Sequence, residues 1–276
     1  MFEGEGLVSG NQESRPLLGE SRRAAIAEAI RTAGAITVAE VEERFAVSSM
    51  TARRDLAELE RQGLARRTHG GAVLPAISAH EDSFAQRVEA DVEAKTALAE
   101  TAVAMLSATE TVFLDSSSTS YFVARRIVDS GLGVTVLTNN LPVIELLTSM
   151  GGPQIDLIGV GGALRRLTRS FVGPFAVQTI RGHFADKLFL SVKGVMPDGT
   201  LTDADPLEAE VKRAMVNQAA EAVLLVDRSK LSSRGLAAVA HVSDLHQVVV
   251  HRATPSEMSA LRAAGAVLAP VGARGR

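Results

Sequence analysis

The feature that most constrains this chain is a short segment that predicts an amphipathic helix with two adjacent arginines. Residues 48–56 begin with hydroxyl side chains, which can cap a helix N-terminus. Ala52, Leu56 and Leu59 repeat at the spacing of one helical face and can pack inward. Arg54 lies roughly opposite them. The segment therefore predicts a helix that carries arginine side chains on its free face.

A basic hairpin follows this helix. Residues 64–71 hold Arg66, Arg67 and His69 close to two consecutive glycines, which allow a tight turn. A basic hairpin beside an arginine-bearing helix is typical of a winged helix-turn-helix. In that arrangement the helix reads bases in the major groove and the wing contacts phosphates.

Two further helices are predicted ahead of the arginine-bearing helix. Residues 21–33 have a helix-forming composition with an apolar stripe of alanine and isoleucine. Thr37 and Glu40 have the spacing of a capping box, which opens a second helix that runs to about Phe45. Three helices of this length with short turns fit a helix-turn-helix domain.

This set of residues resembles the DNA-binding domain of the DeoR family of bacterial transcription regulators. The matching residues are Val47-Ser48, Thr51, Arg53-Arg54-Asp55-Leu56, Leu59-Glu60, Gln62-Gly63-Leu64, Arg66-Arg67 and His69-Gly70-Gly71-Ala72. The family usually carries a β-branched residue at the position of Ala52. We expect DNA contacts from Ser48, Ser49, Thr51, Arg53, Arg54, Arg66, Arg67 and His69.

The composition favours a globular protein without disulfides. The chain has 276 residues, 46% of them hydrophobic, and no cysteine, which excludes thiolate metal sites and fits a reducing cytoplasm. It has no apolar run long enough to span a bilayer and no basic, apolar leader, so a cytoplasmic location is expected. The net charge is −3, but residues 49–74 hold five arginines against three acids. A local basic face on an acidic protein suits specific DNA binding.

The chain divides by pattern into four parts. Residues 1–19 lack periodicity and predict a disordered tail, 20–74 form the winged helix-turn-helix, and 75–83 form a linker. From residue 84 to 276, apolar runs alternate with amphipathic helices, which predicts an α/β domain with a mainly parallel sheet. The predicted strands are 111–115, 134–138, 155–160, 187–192, 222–226, 248–251 and 266–271. The predicted helices are 92–107, 121–129, 141–149, 171–181, 206–220 and 255–264.

Polar residues concentrate after these strands, where ligands bind in parallel sheets. The first strand is followed by Asp115 and five consecutive hydroxyl residues, 116–120, that lead into a helix. Hydroxyls, free backbone amides and the positive end of the helix dipole together favour an anion such as phosphate. Glycines, lysines and carboxylates after the later strands predict a site for a polyhydroxylated, phosphorylated molecule.

The second half also resembles the DeoR-type sensor domain, over nearly all of residues 84–252. That domain is similar in fold to ribose-phosphate isomerases and binds sugar phosphates as signals. The resemblance implies that the 116–120 loop holds phosphate and that Asn139, Asp203, Glu210, Lys212 and Lys230 meet the sugar. The chain departs from the family pattern at Ser117, commonly glycine, which could crowd the loop. It departs again at Lys193, usually small or apolar, which could shift the effector preference.

The expected effector-binding set combines the loop residues with their neighbours on other strands. It comprises Lys95, Asp115, Ser116, Ser117, Ser118, Thr119, Ser120, Thr138, Asn139, Asn140, Gly161, Gly162, Lys193, Asp203, Glu210, Lys212 and Lys230. No catalytic residue, metal ligand or cofactor is predicted. One helix-and-wing unit reads few base pairs, so a dimer or tetramer is expected on DNA.

Three functions are compatible with these patterns. The favoured one is a transcription regulator, a repressor by the family resemblance, whose binding to operator DNA responds to a phosphorylated sugar and which has no membrane partner. The second is a phosphosugar isomerase fused to a DNA-binding module, with Glu210 or Asp203 as the base. The third is a scaffold that binds DNA constitutively. Turnover assays would separate the first two, and effector titration of DNA binding would separate the first from the third.

Overall fold

A computed structural model of the chain describes residues 19–33, 35–61, 64–68, 70–73 and 81–272. The chain divides into two compact units, residues 1–79 and 80–276. Residues 1–18 of the predicted tail, His69 and residues 75–80 of the predicted linker lie outside the described residues, whereas Gly19, predicted as the end of the tail, begins the first helix. None of the described helices is both long and apolar enough to span a membrane.

The first unit contains three helices and a small antiparallel sheet. Its elements are α1 (Gly19–Ala33), β1 (Ala35–Thr37), α2 (Val38–Phe45), α3 (Ser49–Arg61), β2 (Arg66–Thr68) and β3 (Gly71–Val73). The sheet order is β1-β3-β2, so the predicted hairpin gains β1 as a third strand. The predicted capping box is confirmed: the Thr37 hydroxyl accepts the Glu40 amide at 3.1 Å, and the Glu40 carboxylate accepts the Thr37 amide at 2.7 Å.

The core of this unit uses the apolar face predicted for the arginine-bearing helix. Ala52, Leu56 and Leu59 on α3 are buried, and they pack in one cluster with Ile26 and Ile30 of α1. Each fully buried leucine or isoleucine stabilises the fold by about 1.5–3 kcal/mol. The burial of these side chains fixes the opposite side of α3 as a solvent-facing surface.

Asp55 is the one acidic residue of α3 that is buried. Its carboxylate pairs with Arg22 at 2.7 Å and with Arg23 at 3.5 Å, both on α1. A buried carboxylate is stable only with such partners. The sequence Arg53-Arg54-Asp55 therefore combines two exposed arginines with an acid that joins α3 to α1.

The second unit is built on a seven-stranded sheet in which all neighbouring strands are parallel. The strand order is β15-β14-β12-β9-β4-β5-β6. These strands are β4 (Thr111–Leu114), β5 (Thr135–Thr138), β6 (Asp156–Gly159), β9 (Ala185–Leu190), β12 (Ala219–Asp227), β14 (Gln247–His251) and β15 (Leu268–Ala269). All seven predicted strands occur in this sheet, and the predicted α/β class is confirmed.

Helices cover both faces of the sheet. They are α4 (Phe84–Glu89), α5 (Val92–Ala104), α6 (Ser118–Ser130), α7 (Leu141–Met150), α8 (Pro174–Arg181), α9 (Pro206–Gln218) and α10 (Pro255–Ala263). Successive residues of β4 enter different cores: Val112 packs with α5, α6 and α7, whereas Phe113 packs with α8 and α9. This alternation is why the strands are apolar throughout.

The sequence did not predict two small antiparallel elements. One is the sheet β10-β11-β13, formed by Gly194–Val195, Thr200–Asp203 and Ala237–His241, and the other is the hairpin of β7 (Ala163–Arg165) and β8 (Ser170–Val172). The predicted helix 171–181 was wrong at its start. Phe171 and Val172 pair with β7, and the helix begins only at Pro174, whose ring suits a first turn.

The Asp55 ion pairs generate a stability prediction. Asp55→Ala leaves the Arg22 and Arg23 guanidinium groups without their buried carboxylate and should lower the free energy of unfolding of the first unit by about 3–5 kcal/mol. The matched control is Glu58→Ala on the same helix, because Glu58 pairs with Arg61, which is 61% exposed. That change should cost about 1 kcal/mol or less. Equal losses in urea unfolding would contradict this role of Asp55.

Candidate functional site

The N-terminus of α3 presents polar side chains to solvent. The Ser48 hydroxyl accepts the Thr51 amide at 3.3 Å and lies 3.0 Å from the Thr51 hydroxyl, so the first turn is capped from the preceding residue. Ser49, Arg53 and Arg54 are exposed on the same helix. Because Ala52 and Leu56 hold the other face in the core, these side chains are available to an external partner.

Met50 also lies on this exposed surface, and the sequence analysis did not single it out. Its side chain is 81% exposed at the start of α3. Apolar side chains in the major groove can contact the thymine methyl group. The sequence could have revealed Met50, because it is an apolar residue that does not share the spacing of the inward-facing Ala52, Leu56 and Leu59.

The wing is held against the rest of the first unit by backbone contacts. The Arg67 side chain is exposed, and its backbone amide donates to the Glu60 carboxylate at 3.0 Å. Gly71 pairs with Thr37 of β1, and a Cβ there would lie 2.2 Å from the Ile36 carbonyl oxygen, so only glycine fits. Arg66 lies on β2, and His69 lies outside the described residues.

The second unit has a cavity of about 260 Å³ at the carboxyl edge of its sheet. From β4 the chain adds β5 and β6 on one side of that strand. It then returns to add β9 on the other side, so the order of the strands reverses between β4 and β9. Ligands bind at such points in parallel sheets. The lining residues are Glu81, Asp82, Arg87, Ala90, Asp91, Lys95, Ser117, Ser118, Thr119, Ser191, Val192, Lys193, Asp203, Ala204, Lys212, Asp227, Ser229, Lys230 and Ser233.

Asp115 organises the loop that borders this cavity. Its side chain is fully buried at the end of β4. One carboxylate oxygen accepts the Ser117 amide at 3.0 Å and the Ser120 hydroxyl at 2.6 Å, and the other accepts the Ser191 amide at 3.0 Å. The carboxylate therefore ties the loop after β4 to the loop after β9.

A buried ammonium compensates this carboxylate. Lys212 of α9 lies 3.1 Å from Asp115 and 2.6 Å from Asp203. Burial alone would lower the pKa of the Lys212 ammonium, but the two carboxylates raise it above its usual value. Burial would raise the pKa of the Asp115 carboxyl, but Lys212 and the hydrogen bonds from serine side chains and the Ser191 backbone hold it below its usual range. The Lys212 ammonium and the Asp115 carboxylate are therefore both charged at neutral pH.

The hydroxyls of the 116–120 loop divide into two groups. Those of Ser116, Ser117 and Ser120 are used within the protein, the first by Glu208 and the other two by Asp115. Those of Ser118 and Thr119 line the cavity and form no hydrogen bond with any described residue. They stand in the first turn of α6, whose amide groups point toward the same space.

A second buried carboxylate, Glu208, supports the loop from α9. It accepts the hydroxyls of Ser116 at 2.6 Å and Thr168 at 2.7 Å, and it also accepts the Ser170 hydroxyl. Arg165 lies 3.8 Å from Glu208. The spacing of Glu208 and Lys212 also fits a surface helix pair, but both side chains are buried.

Arg165 extends this network to Glu81 by a two-bond contact, with one nitrogen–oxygen distance of 2.9 Å. It also lies 3.3 Å from Asp205, which caps α9. Glu81 is the first described residue after positions 74–80. A continuous set of hydrogen bonds and ion pairs therefore connects the cavity loop with the start of the described part of the second unit.

The amides after β5 position the loop and do not line the cavity. The Asn140 side chain donates to the carbonyls of Asp115 at 3.2 Å and Ser117 at 3.1 Å. Asn139 donates to the Phe171 carbonyl at 2.9 Å, and the Thr138 hydroxyl donates to the β4 backbone. All three residues, 138–140, are fully buried and lie behind the loop, and the Oδ1 atoms of Asn139 and Asn140 have no hydrogen-bond partner among the described residues.

Gly161, Gly162 and Glu210 are also absent from the cavity lining. The two glycines are exposed, and a Cβ on Gly162 would lie 2.7 Å from the Val172 carbonyl oxygen. Gly162 therefore allows the close approach to β8, whereas a Cβ on Gly161 would meet no described atom within 4 Å. Glu210 lies on α9 two residues from Glu208 and Lys212, so it projects to a different side of the helix from these buried residues.

Arg87 lines the cavity and was missed by the sequence analysis. It lies on α4, a short helix opened by a capping box in which the Ser83 hydroxyl accepts the Gln86 amide at 3.3 Å. The Ser83 and Gln86 spacing is visible in the sequence and could have revealed this helix. Lys95, Lys193 and Lys230, which were predicted, line the same cavity.

Known proteins match both units. A DeoR-like helix-turn-helix domain matches residues 22–77, and a DeoR C-terminal sensor domain matches residues 90–252. The transcriptional repressor AccR of Agrobacterium fabrum is 34% identical, over 85% of this chain and 90% of its own. A putative aga operon transcriptional repressor of Escherichia coli O157:H7 is 31% identical, over 98% and 97%.

Among solved structures, ribose 5-phosphate isomerase A from Methanocaldococcus jannaschii matches 51% of this chain and 55% of its own. The TM-score is 0.38 and the identity 18%, a likeness too distant to carry a functional argument. A DNA-binding winged helix followed by an α/β sensor domain defines a transcription regulator, and the matching relatives are regulators and not enzymes. The chain belongs to the DeoR family of transcriptional regulators.

The buried ion pairs below the cavity generate a stability prediction. Lys212→Met removes the only ammonium within salt-bridge distance of Asp115 and Asp203 among the described residues, and should lower the free energy of unfolding of the second unit by about 3–5 kcal/mol. The control is Lys187→Met, because its partners Glu110 and Glu221 are 21% and 40% exposed. That change should cost clearly less.

The double variant Asp115→Asn with Lys212→Met provides a further check in the same denaturation assay. The double variant should lose less free energy of unfolding than the sum of the two single variants, because it leaves neither Asp115 nor Lys212 as a charge without its partner. Additive losses would show that the pair does not act as a unit.

Proposed function

We propose that this regulator is a repressor of carbohydrate-metabolism genes whose DNA affinity is controlled by a phosphorylated sugar bound in the cavity. The observation that carries the proposal is the pair of hydroxyls, Ser118 and Thr119, that have no partner in the described part of the chain and lie in the first turn of α6 beside a lysine-rich wall. Hydroxyls, helix amides and ammonium groups together are suited to phosphate. The relatives named as repressors support the direction of control.

On the DNA side, α3 supplies base contacts and the wing supplies phosphate contacts. Arg53 and Arg54 are exposed on the side of α3 that faces away from the core, and arginine pairs with two acceptors of guanine. One such unit reads too few base pairs for a genomic address, so the protein binds as a homo-oligomer on repeated half-sites. It acts in the cytoplasm, where the operator lies.

On the effector side, the loop is held in shape before the ligand arrives. Because Asp115 and Asn140 fix the loop from inside the protein, little ordering is needed on binding, which favours affinity. The effector changes DNA binding only by the difference in its affinity for the DNA-competent state and the released state. In a repressor, it binds the released state more tightly.

Neither of the two bases considered for the isomerase alternative is free in the cavity. Asp203 is held by Lys212 at 2.6 Å, and Glu210 does not line the cavity. Proton transfer between sugar carbons requires a carboxylate within hydrogen-bond reach of the substrate. A regulator requires binding and two states, without turnover.

The first functional prediction concerns base reading by α3. Replacing Arg53 and Arg54 with alanine should weaken binding to DNA fragments selected by the wild-type protein by about 1–3 kcal/mol for each arginine–base pairing removed. Fluorescence anisotropy at fixed, moderate salt measures the change. Arg252→Ala, which removes a 68% exposed arginine of the second unit, is the control for the loss of an arginine outside the first unit.

Arg67→Ala distinguishes the wing from the helix. It should weaken all DNA sequences similarly and reduce the slope of log affinity against log salt by about 1. Wild-type affinity in the Arg53 and Arg54 double variant would refute base reading by α3. Loss of sequence discrimination in Arg67→Ala, with an unchanged salt slope, would assign base reading to the wing instead.

The second functional prediction concerns the phosphate. Replacing Ser118 and Thr119 with alanine should weaken phosphosugar binding at least tenfold, since charge-assisted hydrogen bonds contribute about 1.5–3 kcal/mol each, while DNA binding persists. In cells this gives constitutive repression. Calorimetry of the full chain with the best phosphosugar, and with its dephosphorylated form, measures the effect.

The matched control replaces Thr148 and Ser149, whose hydroxyls donate to backbone carbonyls on the exposed side of α7 at 2.7 and 2.8 Å. This variant should bind the effector as the wild type does. Equal affinity for the phosphorylated and dephosphorylated sugar would show that no phosphate is recognised. Wild-type affinity in the loop variant would place the phosphate elsewhere.

A further inference from the structure

We propose that the effector carries two separate anionic groups, as a sugar bisphosphate or a phosphorylated sugar acid does. This inference rests on the proposed function and specifies the class of ligand for the same cavity. One anionic group binds Ser118, Thr119 and the amides of α6. The second binds a group of four cations that we call the cation cluster, namely Arg87, Lys95, Lys193 and Lys230.

The cation cluster is assembled from four parts of the fold. Arg87 lies on α4, Lys95 in the first turn of α5, Lys193 after β9 and Lys230 after β12. All four line the same cavity. Each comes from a different element, so their convergence is a property of the tertiary structure and not of a charged run in the sequence.

None of the four cations has a carboxylate oxygen within 4.0 Å among the described residues. Lys95 donates to the backbone carbonyl of Ala90, which carries no net charge. By contrast, Lys212 in the same cavity is fully compensated by Asp115 and Asp203. The cluster therefore differs from the structural ion pairs beside it: its positive charge is not neutralised at short range.

Arg87 shows this most directly. Two of its guanidinium nitrogens, Nε and Nη2, are buried and have no hydrogen-bond partner in the described part of the chain. The group lies 5.7 Å from the centre of the Phe84 ring, a contact that does not satisfy N–H donors in the guanidinium plane. Buried cationic donors without partners are costly, and an anion in the adjoining cavity removes that cost.

The carboxylates of the cavity wall do not supply this charge. Glu81 is paired with Arg165, and Asp203 with Lys212. Asp227 accepts the Ser229 amide at 2.7 Å as the cap of a short helix, and its charge acts on Lys95 and Lys230 without a contact at salt-bridge distance. Two further acids of the wall are exposed to solvent, Asp82 and Asp91. Exposed carboxylates are screened by water and neutralise a buried cation weakly.

The electrostatics of the two buried lysines agree with this geometry. Burial lowers the pKa of the Lys95 ammonium, and Lys230 lowers it further against the opposing effect of Asp91. Burial likewise lowers the pKa of the Lys230 ammonium, which Asp227 opposes and which Lys193 and Arg87 lower further. The four cations thus repel one another across a shared space, and a bound anion would relieve that repulsion.

A single phosphate does not pair with both the α6 N-terminus and the whole cation cluster. A phosphate monoester carries about −1.5 to −2 at neutral pH, which suits the hydroxyls and amides of the α6 N-terminus with one neighbouring cation. The other three cations of the cluster would then still have no anion within salt-bridge distance among the described residues. A second phosphate or a carboxylate on the same small molecule supplies the remaining negative charge. Lys193 lines the cavity without a carboxylate partner among the described residues, so it is the member of the cluster whose replacement tests the second anionic group most directly.

The test is isothermal titration calorimetry of the full chain at constant ionic strength. The probes are matched mono- and bisphosphates of fructose, glucose and ribulose, together with phosphogluconate and inorganic phosphate. We expect the best doubly anionic compound to bind at least about tenfold more tightly than its monophosphate partner, the effect of one charge-assisted hydrogen bond or more. Lys193→Met and Arg87→Gln should reduce that ratio, weakening the doubly anionic compound more than the monophosphate.

The control is Lys187→Met, which removes a lysine outside the cavity and should leave the ratio unchanged. If monophosphates bind as tightly as their doubly anionic partners, or if Lys193→Met weakens both equally, this inference is wrong while the proposed function stands. If no phosphorylated compound binds, the proposed function fails with it.

Discussion

The buried carboxylate of Asp115 is the group on which the cavity depends. It receives hydrogen bonds from the loop after β4 and from the loop after β9, and it is neutralised by Lys212 of α9. Three separate elements are thereby fixed at the point where the strand order reverses. Removing a carboxylate and an ammonium from water is costly, and the hydrogen bonds around them offset that cost. The result is a rigid loop whose outer hydroxyls are left for a ligand.

Glu208 is a second buried carboxylate, and it lies one helical turn before Lys212 on α9. It accepts hydroxyls from Ser116 and from the segment before β8, while Arg165 links it to Glu81. The loop at the cavity is therefore held from below by two buried carboxylates of different elements. Such networks have few alternative arrangements, because a partly broken network leaves buried charges unpaired. A ligand that moves the loop must move its partners with it.

The sequence predicted features that depend on local pattern. The inward face of α3, the Thr37 capping box and all seven strands of the parallel sheet follow from periodicity and from hydrogen-bonding side chains close in sequence. The position of the hydroxyl loop follows from the rule that parallel strands place their following loops at one edge. These inferences need no knowledge of which elements pack together.

Features that depend on tertiary partners could not be derived in this way. Asn139 and Asn140 have the residue types of a sugar-binding site, yet their NH2 groups donate to backbone carbonyls on neighbouring elements and neither residue lines the cavity. Arg87 has no sequence signal for ligand binding, and it reaches the cavity only because α4 packs beside α6. Phe171 pairs as a strand because β7 is adjacent, which overrides its helical pattern.

The proposed effector control requires that the phosphosugar and the operator DNA favour two different states of the protein. The most direct test is to measure the affinity of the full chain for its best phosphosugar with and without saturating operator DNA. Linkage requires that DNA weakens phosphosugar binding by the same factor as phosphosugar weakens DNA binding, typically about 5–150-fold. We predict such a reciprocal loss. Identical phosphosugar affinity in the free and DNA-bound protein would contradict effector control.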